Sequence, residues 1–490
     1  MPSPRVTVIG AGAGGLAAAI DLATHGIAVT VLEKAGAPGG KIRVDDSGID
    51  AGPTVLTMRR VFDALFDDAG ASLDEHLSLH PAELLARHAW SATERLDLFA
   101  DIDRSAEAIT VFAGRAEADG FRSFCDRART IYRTLEAPFM QAQKPGALSL
   151  TAAAGLSGMR AVSPFATLWK ALGDHFRDPR LRQLFGRYAT YSGSSPFLAP
   201  ATLMLIAHVE QQGVWMVEGG MMRLAQALSN LAVQKGSLLR FNAPVVEITT
   251  GGGRTTGVVL ANGERIQSDA VICNADFAAI ATGAFGKAVL RSVPDARRDA
   301  RSQSAVTWTL SAQTTGFSLS RHNVFFGRDY AEEFDAVFRR GRLPNDPTVY
   351  VCAQDRGLGQ PDNGPERLLV LINAPPNGDR RDLSAVEMEQ CTTRTFGVLE
   401  RCGLRVHRCC EATTVTTPAG FEKLFPATGG GLYGQAVHGA MAAFRRPGSR
   451  SSIPGLYLAG GSVHPGPGVP MAVLSGRLAA MSVLRDLTSN

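Results

Sequence analysis

Val6-Thr7-Val8-Ile9-Gly10-Ala11-Gly12-Ala13-Gly14-Gly15-Leu16 runs from an apolar strand through a glycine cluster into a helix, on which Leu16, Ile20 and Ala23 recur at helical spacing up to Gly26. Ala28 to Leu32 is a second strand, and it ends at Glu33, twenty-one residues beyond Gly12. A strand, a G-x-G-x-x-G turn, a helix and a spaced acid together make the fingerprint of a dinucleotide-binding βαβ unit. Each residue type has a physical reason. Gly10 permits the tight turn, Gly12 lets the backbone approach a pyrophosphate, and Gly15 lets the helix pack closely on the strand. Ala13 and Gly14 open the helix whose N-terminus receives the phosphates. Glu33, with Lys34 beside it, is placed for the adenosine ribose hydroxyls, where an acid repels the extra phosphate of NADP.

FAD is favoured over NAD by the next two segments of the chain, Pro38-Gly39-Gly40-Lys41 and then Ile49-Asp50-Ala51-Gly52-Pro53-Thr54. In flavoproteins of the glutathione-reductase type, an E-x5-G-G-[RK] run extends the phosphate site and a D-x-G-P turn brings backbone near the flavin ring. Lys41 is expected to add a cation at the pyrophosphate, and Gly40, Gly52, Pro53 and Thr54 join the site. Further along, Gly219-Gly220-Met221 precedes a helix carrying Leu224, Leu228 and Leu231, and Val246 lies in the strand run Val245 to Ile248. At the far end, the strand around Leu456-Tyr457-Leu458 stops at Gly460-Gly461, and Val469-Pro470-Met471 leads into a helix from about Ala472. All of these are candidate FAD contacts, the last helix offering an N-terminus to the flavin ring.

The rest of the composition bounds the answer. The 490 residues are 45% apolar and 20% charged, which is globular, and their number implies about two to four domains. Fifty basic residues against 46 acidic ones leave no field for a nucleic acid. Seven scattered cysteines without a CxxC suit a reducing compartment, and the first residues lack a signal-peptide pattern, so a cytoplasmic protein is expected. No run of about 18 apolar residues predicts a membrane span.

Residues 1–85, 215–295 and 445–490 are read as one discontinuous FAD-binding domain, 86–214 as a helical cap or membrane-docking region, and 296–444 as a substrate-binding sheet region. The sheet follows from alternation at Val306, Trp308, Leu310 and Ala312 and from the runs Thr348 to Ala353 and Leu368 to Ile372; Ser384 with Glu387 makes a capping box for a helix to about Arg401. Leu148 to Arg187 mixes Phe165, Leu168, Trp169 and Leu172 with Arg160, Lys170, Arg177, Arg180 and Arg182. Such a segment lies on an anionic membrane or packs as a cap helix with a solvated basic face. His76, His80 and His88 lack accompanying cysteines or carboxylates, so no metal is expected. His464 either bonds near the flavin or braces its Pro-Gly turn, and Cys409-Cys410 is a pair of strand residues or a reactive thiol.

Along nearly its whole length the chain resembles the bacterial carotenoid desaturases of the phytoene-desaturase type, within the amine-oxidase-like flavoproteins. The carriers are the fingerprint through Lys41, Arg187-Tyr188-Ala189-Thr190-Tyr191-Ser192-Gly193, Gly213-Val214-Trp215, Cys273-Asn274-Ala275-Asp276 and His464-Pro465-Gly466-Pro467-Gly468-Val469-Pro470. Glu218 before the central glycines and Ser462-Val463 look more like the hydroxyneurosporene (methoxyneurosporene) desaturases, which are 1-hydroxycarotenoid 3,4-desaturases. The resemblance implies an α/β fold, with a Rossmann-like FAD-binding domain of the glutathione-reductase type and an inserted α+β substrate domain containing a mainly antiparallel sheet and a helical cap. It implies non-covalent FAD, a hydrophobic C40 carotenoid substrate, hydride transfer to flavin, a peripheral membrane surface, and oxygen or a quinone as electron acceptor. It names no catalytic residue. Phytoene desaturase and carotene isomerase are the nearest alternatives. A non-catalytic lipid-binding escort protein of the GDP-dissociation-inhibitor type is the rival from another class; the complete glycine and Glu33 signatures argue against it. No cysteine follows Cys410, which excludes a thioether-linked flavin there.

Overall fold

The computed structural model describes residues 3–488 except 147–149, 151, 153, 154, 156, 157, 159–161, 164, 359–363 and 409–412. The opening strand, Arg5–Ile9, becomes the centre of a five-stranded parallel sheet in the order Leu456–Leu458, Ala270–Cys273, Arg5–Ile9, Ala28–Leu32 and Leu238–Arg240. Val6, Val8 and Ile9 are buried because both faces are covered. Helices Ala13–Thr24, Met222–Gln234 and Val469–Thr488 lie over one face, and Phe277, Ile280 and the small sheet around Ile248 over the other.

Helix Ala13–Thr24 is so rich in alanine and glycine because it is surrounded: eleven of its twelve residues are buried. Against it lies helix Val469–Thr488, and a Cβ on Gly476 would stand 2.0 Å from the Gly14 carbonyl oxygen. Backbone-to-backbone approach of this kind admits only glycine. The last helix therefore begins at Val469, three residues before the expected Ala472, with Pro470 in its first turn.

The second sheet has eight strands. Leu404–His407, Ser304–Gly316, Glu366–Ala374, Val349–Ala353, His322–Phe325, Leu84–Ala89 and Arg95–Phe99 follow one another, and Thr413–Thr416 pairs beside Ser304–Gly316. Every pairing is antiparallel except His322–Phe325 with Leu84–Ala89. Helix Ala385–Arg401, started by the expected Ser384–Glu387 capping box, packs Cys391, Phe396 and Leu399 into the cluster of Val306, Trp308 and Val370.

The stretch from about 85, expected to be helical, departs from its reading. Leu84–Ala89 and Arg95–Phe99 form a hairpin that completes this sheet. Leu84-Leu85-Ala86-Arg87-His88-Ala89 has helix-forming residues, but pairing on both edges overrides local propensity. Helices appear only from Ile102–Ala113 and Arg115–Leu135 onward. Among the described residues no helix is long and apolar enough to cross a membrane.

Candidate functional site

The first glycine turn has the geometry its residues demand. Gly10 sits at φ +97°, and a Cβ on Gly15 would be 2.1 Å from the Gly10 carbonyl oxygen. Gly12 precedes helix Ala13–Thr24 without any side-chain cap, so the amides of that first turn remain for an anion. Gly39 donates its amide to the Ala11 carbonyl (2.9 Å), which lays Gly39 and Gly40 alongside Gly12. Glu33 is buried, its carboxylate held by the amides of Ala11 (2.8 Å) and Ala35 (2.9 Å). Lys34 instead points away, to the Leu424 carbonyl. Val246 is 45% exposed, three residues past Ala243, whose amide bonds the Glu33 carbonyl.

Two long-range clamps join the other glycine segments. Gln354 accepts from the Asp50 amide and donates to the Asp50 carbonyl, both at 2.9 Å, tying the Asp50-Ala51-Gly52-Pro53 turn to the large sheet. The Asp50 carboxylate accepts from the Met221 amide at 2.9 Å and abuts Gly220, which sits at φ +90° beside Gly219 at φ +77°. Burial pushes the Asp50 carboxyl up, against the pull of the Met221 amide and Arg321. Asn274 fills the space among the turns: its side chain lies within 3.6 Å of the Cβ positions of Gly10, Gly12, Gly14, Gly15 and Gly460.

Lys41 lies elsewhere than at the expected pyrophosphate position. Its ammonium donates to the Leu432 carbonyl (2.5 Å) and stands 5.5 Å over the Phe425 ring, and burial lowers its pKa. Arg446, buried, donates to the carbonyls of Gly461, Tyr433 and Gln435, and burial pushes its pKa down to about 10. Asp276 offsets both cations and has one buried carboxylate oxygen without a partner. Gly460 sits at φ +105° under the Ser475 hydroxyl. The Ser462 hydroxyl accepts from the Phe277 amide. His464 bonds the Phe139 carbonyl at 2.8 Å, the bracing role of its two readings. Uncapped helix amides, a cradle of glycines and a fixed Glu33 fit a diphosphate-bearing flavin nucleotide.

Gly52, Pro53, Thr54 and the segment Pro465–Met471 form one end of a cavity of about 740 Å³. Its floor is the large sheet, where Val324, Tyr350 and Leu371 stand in register. Aliphatic and aromatic side chains dominate the walls, with two polar clusters among them. In one, Tyr350 Oη is 2.7 Å from both Thr54 Oγ1 and His322 Nδ1. In the other, Glu210 accepts from Tyr188 (2.8 Å) and Tyr191 (2.6 Å), while the Arg187 guanidinium lies 5.4 Å over the Tyr191 ring.

Behind the wall, Glu333 accepts hydrogen bonds from the Thr348 amide and hydroxyl and from Asn373. Burial raises its carboxyl from 4.5 to about 7. The folded protein holds a proton that the unfolded chain releases, so this stabilisation is full below about 4.5 and lost as pH rises through about 7. The shift is worth about 3 kcal/mol. In unfolding measured from pH 5 to 8, the stability of Glu333→Gln relative to wild type should rise by roughly that amount. A pH-independent difference would assign the slope to other groups.

The remaining candidates are dispersed. His76 bonds the Ser72 carbonyl, His80 faces Glu218 at 3.3 Å, and buried His88 bonds the Leu96 carbonyl. Among the described residues no three His, Cys, Asp or Glu side chains converge on a metal position. Cys409-Cys410 lies outside the described residues. No motif or spacing singles out Gln354, Tyr350 or Arg446, and Asp50 and Asn274 stand within motifs that assign their side chains no role.

A model of the family described as flavin containing amine oxidoreductase matches residues 13–484. The chain is 52% identical to a hydroxyneurosporene desaturase of Rubrivivax gelatinosus, over 99% of this chain and 94% of that one. It is 47% identical to a hydroxyneurosporene desaturase of Cereibacter sphaeroides, over 99% and 98% of the two chains. Among solved structures, an oxidoreductase from Methanosarcina mazei shares the fold with a TM-score of 0.61 at 16% identity, covering 98% of this chain and all of that one.

Proposed function

The chain belongs to the flavin-containing amine oxidoreductase family and, within it, to the hydroxyneurosporene desaturases, and from that premise we propose how its cavity serves the reaction. It is an FAD-dependent carotenoid desaturase of carotenoid biosynthesis, introducing a C-3,4 double bond into an acyclic 1-hydroxycarotenoid. The carrying observation is the 740 Å³ cavity, apolar in nearly all its walls, with the Gly52-Pro53-Thr54 turn and Pro465–Met471 at one end. A polyene needs such walls for orientation and exclusion of water.

FAD, when bound, supplies the acceptor for the hydride that the allylic carbon loses. Gly10, Gly12, Ala13, Gly14, Gly15, Glu33 and Gly40 would hold its adenosine and diphosphate end, and Gly52, Pro53, Thr54, Gly219, Gly220, Met221, Gly460, Gly461, Val469, Pro470 and Met471 its ring end. Leu203, Leu205, Ile206 and Leu369 press the polyene into one plane and keep water from the cation that hydride loss creates. The neighbouring carbon then releases a proton to form the double bond, and delocalisation of the cation makes that proton acidic enough for a weak acceptor to take it. Oxygen or a quinone would serve as the final electron acceptor.

The protein docks on the cytoplasmic face of the membrane, where its substrate dissolves. Support comes from Phe165, 90% exposed, and Met441, 48% exposed, which both border the cavity. Of the basic amphipathic segment Leu148 to Arg187, much of 147–164, Arg160 included, lies outside the described residues. Leu168, Leu172 and Leu181 are buried in the cap, Arg182 stacks on Trp169, and Arg180 pairs with Asp178 and Glu94. Phe165→Asp should weaken sedimentation with anionic vesicles about tenfold or more. Unchanged sedimentation would remove this surface from the reading.

The purified protein should be yellow, with oxidised-flavin absorbance; a colourless chain that cannot be reconstituted with FAD would support the escort reading instead. In a host making neurosporene, the pigment spectrum should shift red by one double bond only when a carotenoid 1,2-hydratase is co-expressed. New colour in a phytoene-producing host would move the assignment to phytoene.

A further inference from the structure

In a 1-hydroxycarotenoid 3,4-desaturation, two carbon–carbon bonds separate the carbon bearing the hydroxyl from the nearer carbon to be unsaturated. Whatever protein group holds that hydroxyl must therefore stand beside the reacting bond, at the end of the cavity that carries the flavin motifs. Of the two polar clusters described, one has its acceptor engaged: the Glu210 carboxylate is taken by two tyrosine hydroxyls, and the Arg187 guanidinium beside it can only donate. The other has an open end.

Thr54 ends the Gly52-Pro53-Thr54 turn and is half-exposed to the cavity. Tyr350 Oη bridges Thr54 Oγ1 to His322 Nδ1, with 2.7 Å on each side. His322 is buried, and burial pushes its pKa down to about 3, so the ring is neutral and offers one donor and one acceptor. If Tyr350 donates to His322, Thr54 donates to Tyr350 and keeps its lone pairs for a guest. If the chain runs the other way, His322 donates to Tyr350, Tyr350 to Thr54, and the Thr54 hydroxyl donates outward. Of the two ends of this chain, His322 Nε2 and Thr54 Oγ1, only Thr54 lines the cavity, and the guest that suits both directions there is one that can donate and accept. A hydroxyl does both; an ether or a bare methyl does not. The Cys352 thiol shares this corner, a weak partner that a hydroxyl displaces.

We propose, resting on the 1-hydroxycarotenoid reading above, that Thr54 Oγ1, backed by Tyr350 and His322, is the docking point for the substrate hydroxyl. It discriminates because an unhydroxylated end would cover Thr54 without satisfying it.

The test compares kcat/KM of the flavin-loaded enzyme for 1-hydroxyneurosporene and for neurosporene in wild type, Thr54→Val, Thr54→Ser and Tyr350→Phe, with flavin content measured by absorbance in each. Thr54→Val keeps the side-chain shape and deletes the hydroxyl. The hydroxylated-to-unhydroxylated ratio should fall about tenfold or more in Thr54→Val and by less in Tyr350→Phe, and Thr54→Ser should restore it. Equal losses on both substrates, or an unchanged ratio at full flavin content, would overturn the docking role. Wild type that acts equally on both overturns it too while leaving the desaturase reading intact. Flavin-loaded wild type that turns over neither overturns the desaturase reading itself.

Discussion

Gly15→Ala is expected to emerge colourless and to take up added FAD at least about a hundredfold more weakly than wild type. The added Cβ would lie 2.1 Å from the Gly10 carbonyl oxygen, 3.1 Å from Asn274 Nδ2 and 3.2 Å from Asn274 Cβ. None of these can retreat easily. Gly10 is held by its amide bond to the Leu32 carbonyl, and Asn274 by its amide bond to the Ile9 carbonyl. The strain can be relieved only by lifting helix Ala13–Thr24 off the sheet, which displaces the uncapped amides that face the diphosphate. Gly397 supplies the control, since it lies inside helix Ala385–Arg401 with nothing within 4 Å of its Cβ position. Gly397→Ala should stay yellow and gain about 0.5–1 kcal/mol of stability from helix propensity. A yellow Gly15→Ala protein of undiminished affinity would mean that the turn can relax, and that the close packing does not set the phosphate site.

Glu210→Ala should destabilise the protein by about 3–5 kcal/mol, read as a lower thermal midpoint. Three charged or polar groups depend on this carboxylate. Tyr188 and Tyr191 donate to it, and its charge helps keep the buried Arg187 guanidinium protonated. Deletion leaves a buried cation unopposed and two phenolic hydroxyls without their acceptor. Arg187 Nε already lacks a partner, so the cation has little else to turn to. Glu210→Gln keeps an acceptor but not the charge and should lose less than the alanine variant. A midpoint for Glu210→Ala within a degree of wild type would show that water reaches the cluster and that the residues are not mutually dependent.

The parts of the fold that are legible in the sequence are those whose chemistry is local. Gly10, Gly12, Gly15 and Glu33 lie within one βαβ unit, and the steric demands of its turn restrict the residue types that fit. Ser384 and Glu387 likewise meet across a single helical turn. The rest depends on partners far along the chain. Asp50 and Gln354 are 304 positions apart, Thr54 and Tyr350 296, and neither pairing leaves a trace in periodicity or spacing. Leu84–Ala89 reads as helix because its residues favour one in isolation, and it becomes a strand because Arg95–Phe99 and, far along the chain, His322–Phe325 pair with its two edges. The motif around Lys41 points its ammonium at the pyrophosphate, yet the length of the side chain lets it reach Leu432 instead. Backbone geometry is the more legible property; the aim of long side chains is not.

The parallel sheet places early and late strands of the chain side by side. Arg5–Ile9 is made first but occupies the centre, and its neighbour Ala270–Cys273 and the edge strand Leu456–Leu458 leave the ribosome much later. The glycine turn is completed on its far side by Asn274 and by Gly476 against Gly14. At about 5–20 residues per second, the nascent chain spends tens of seconds with its nucleotide-binding turn half-built. The complete nucleotide-binding turn therefore exists only once Asn274 and Gly476 have been made, and until then the exposed apolar strand is the segment that chaperones would be expected to shield.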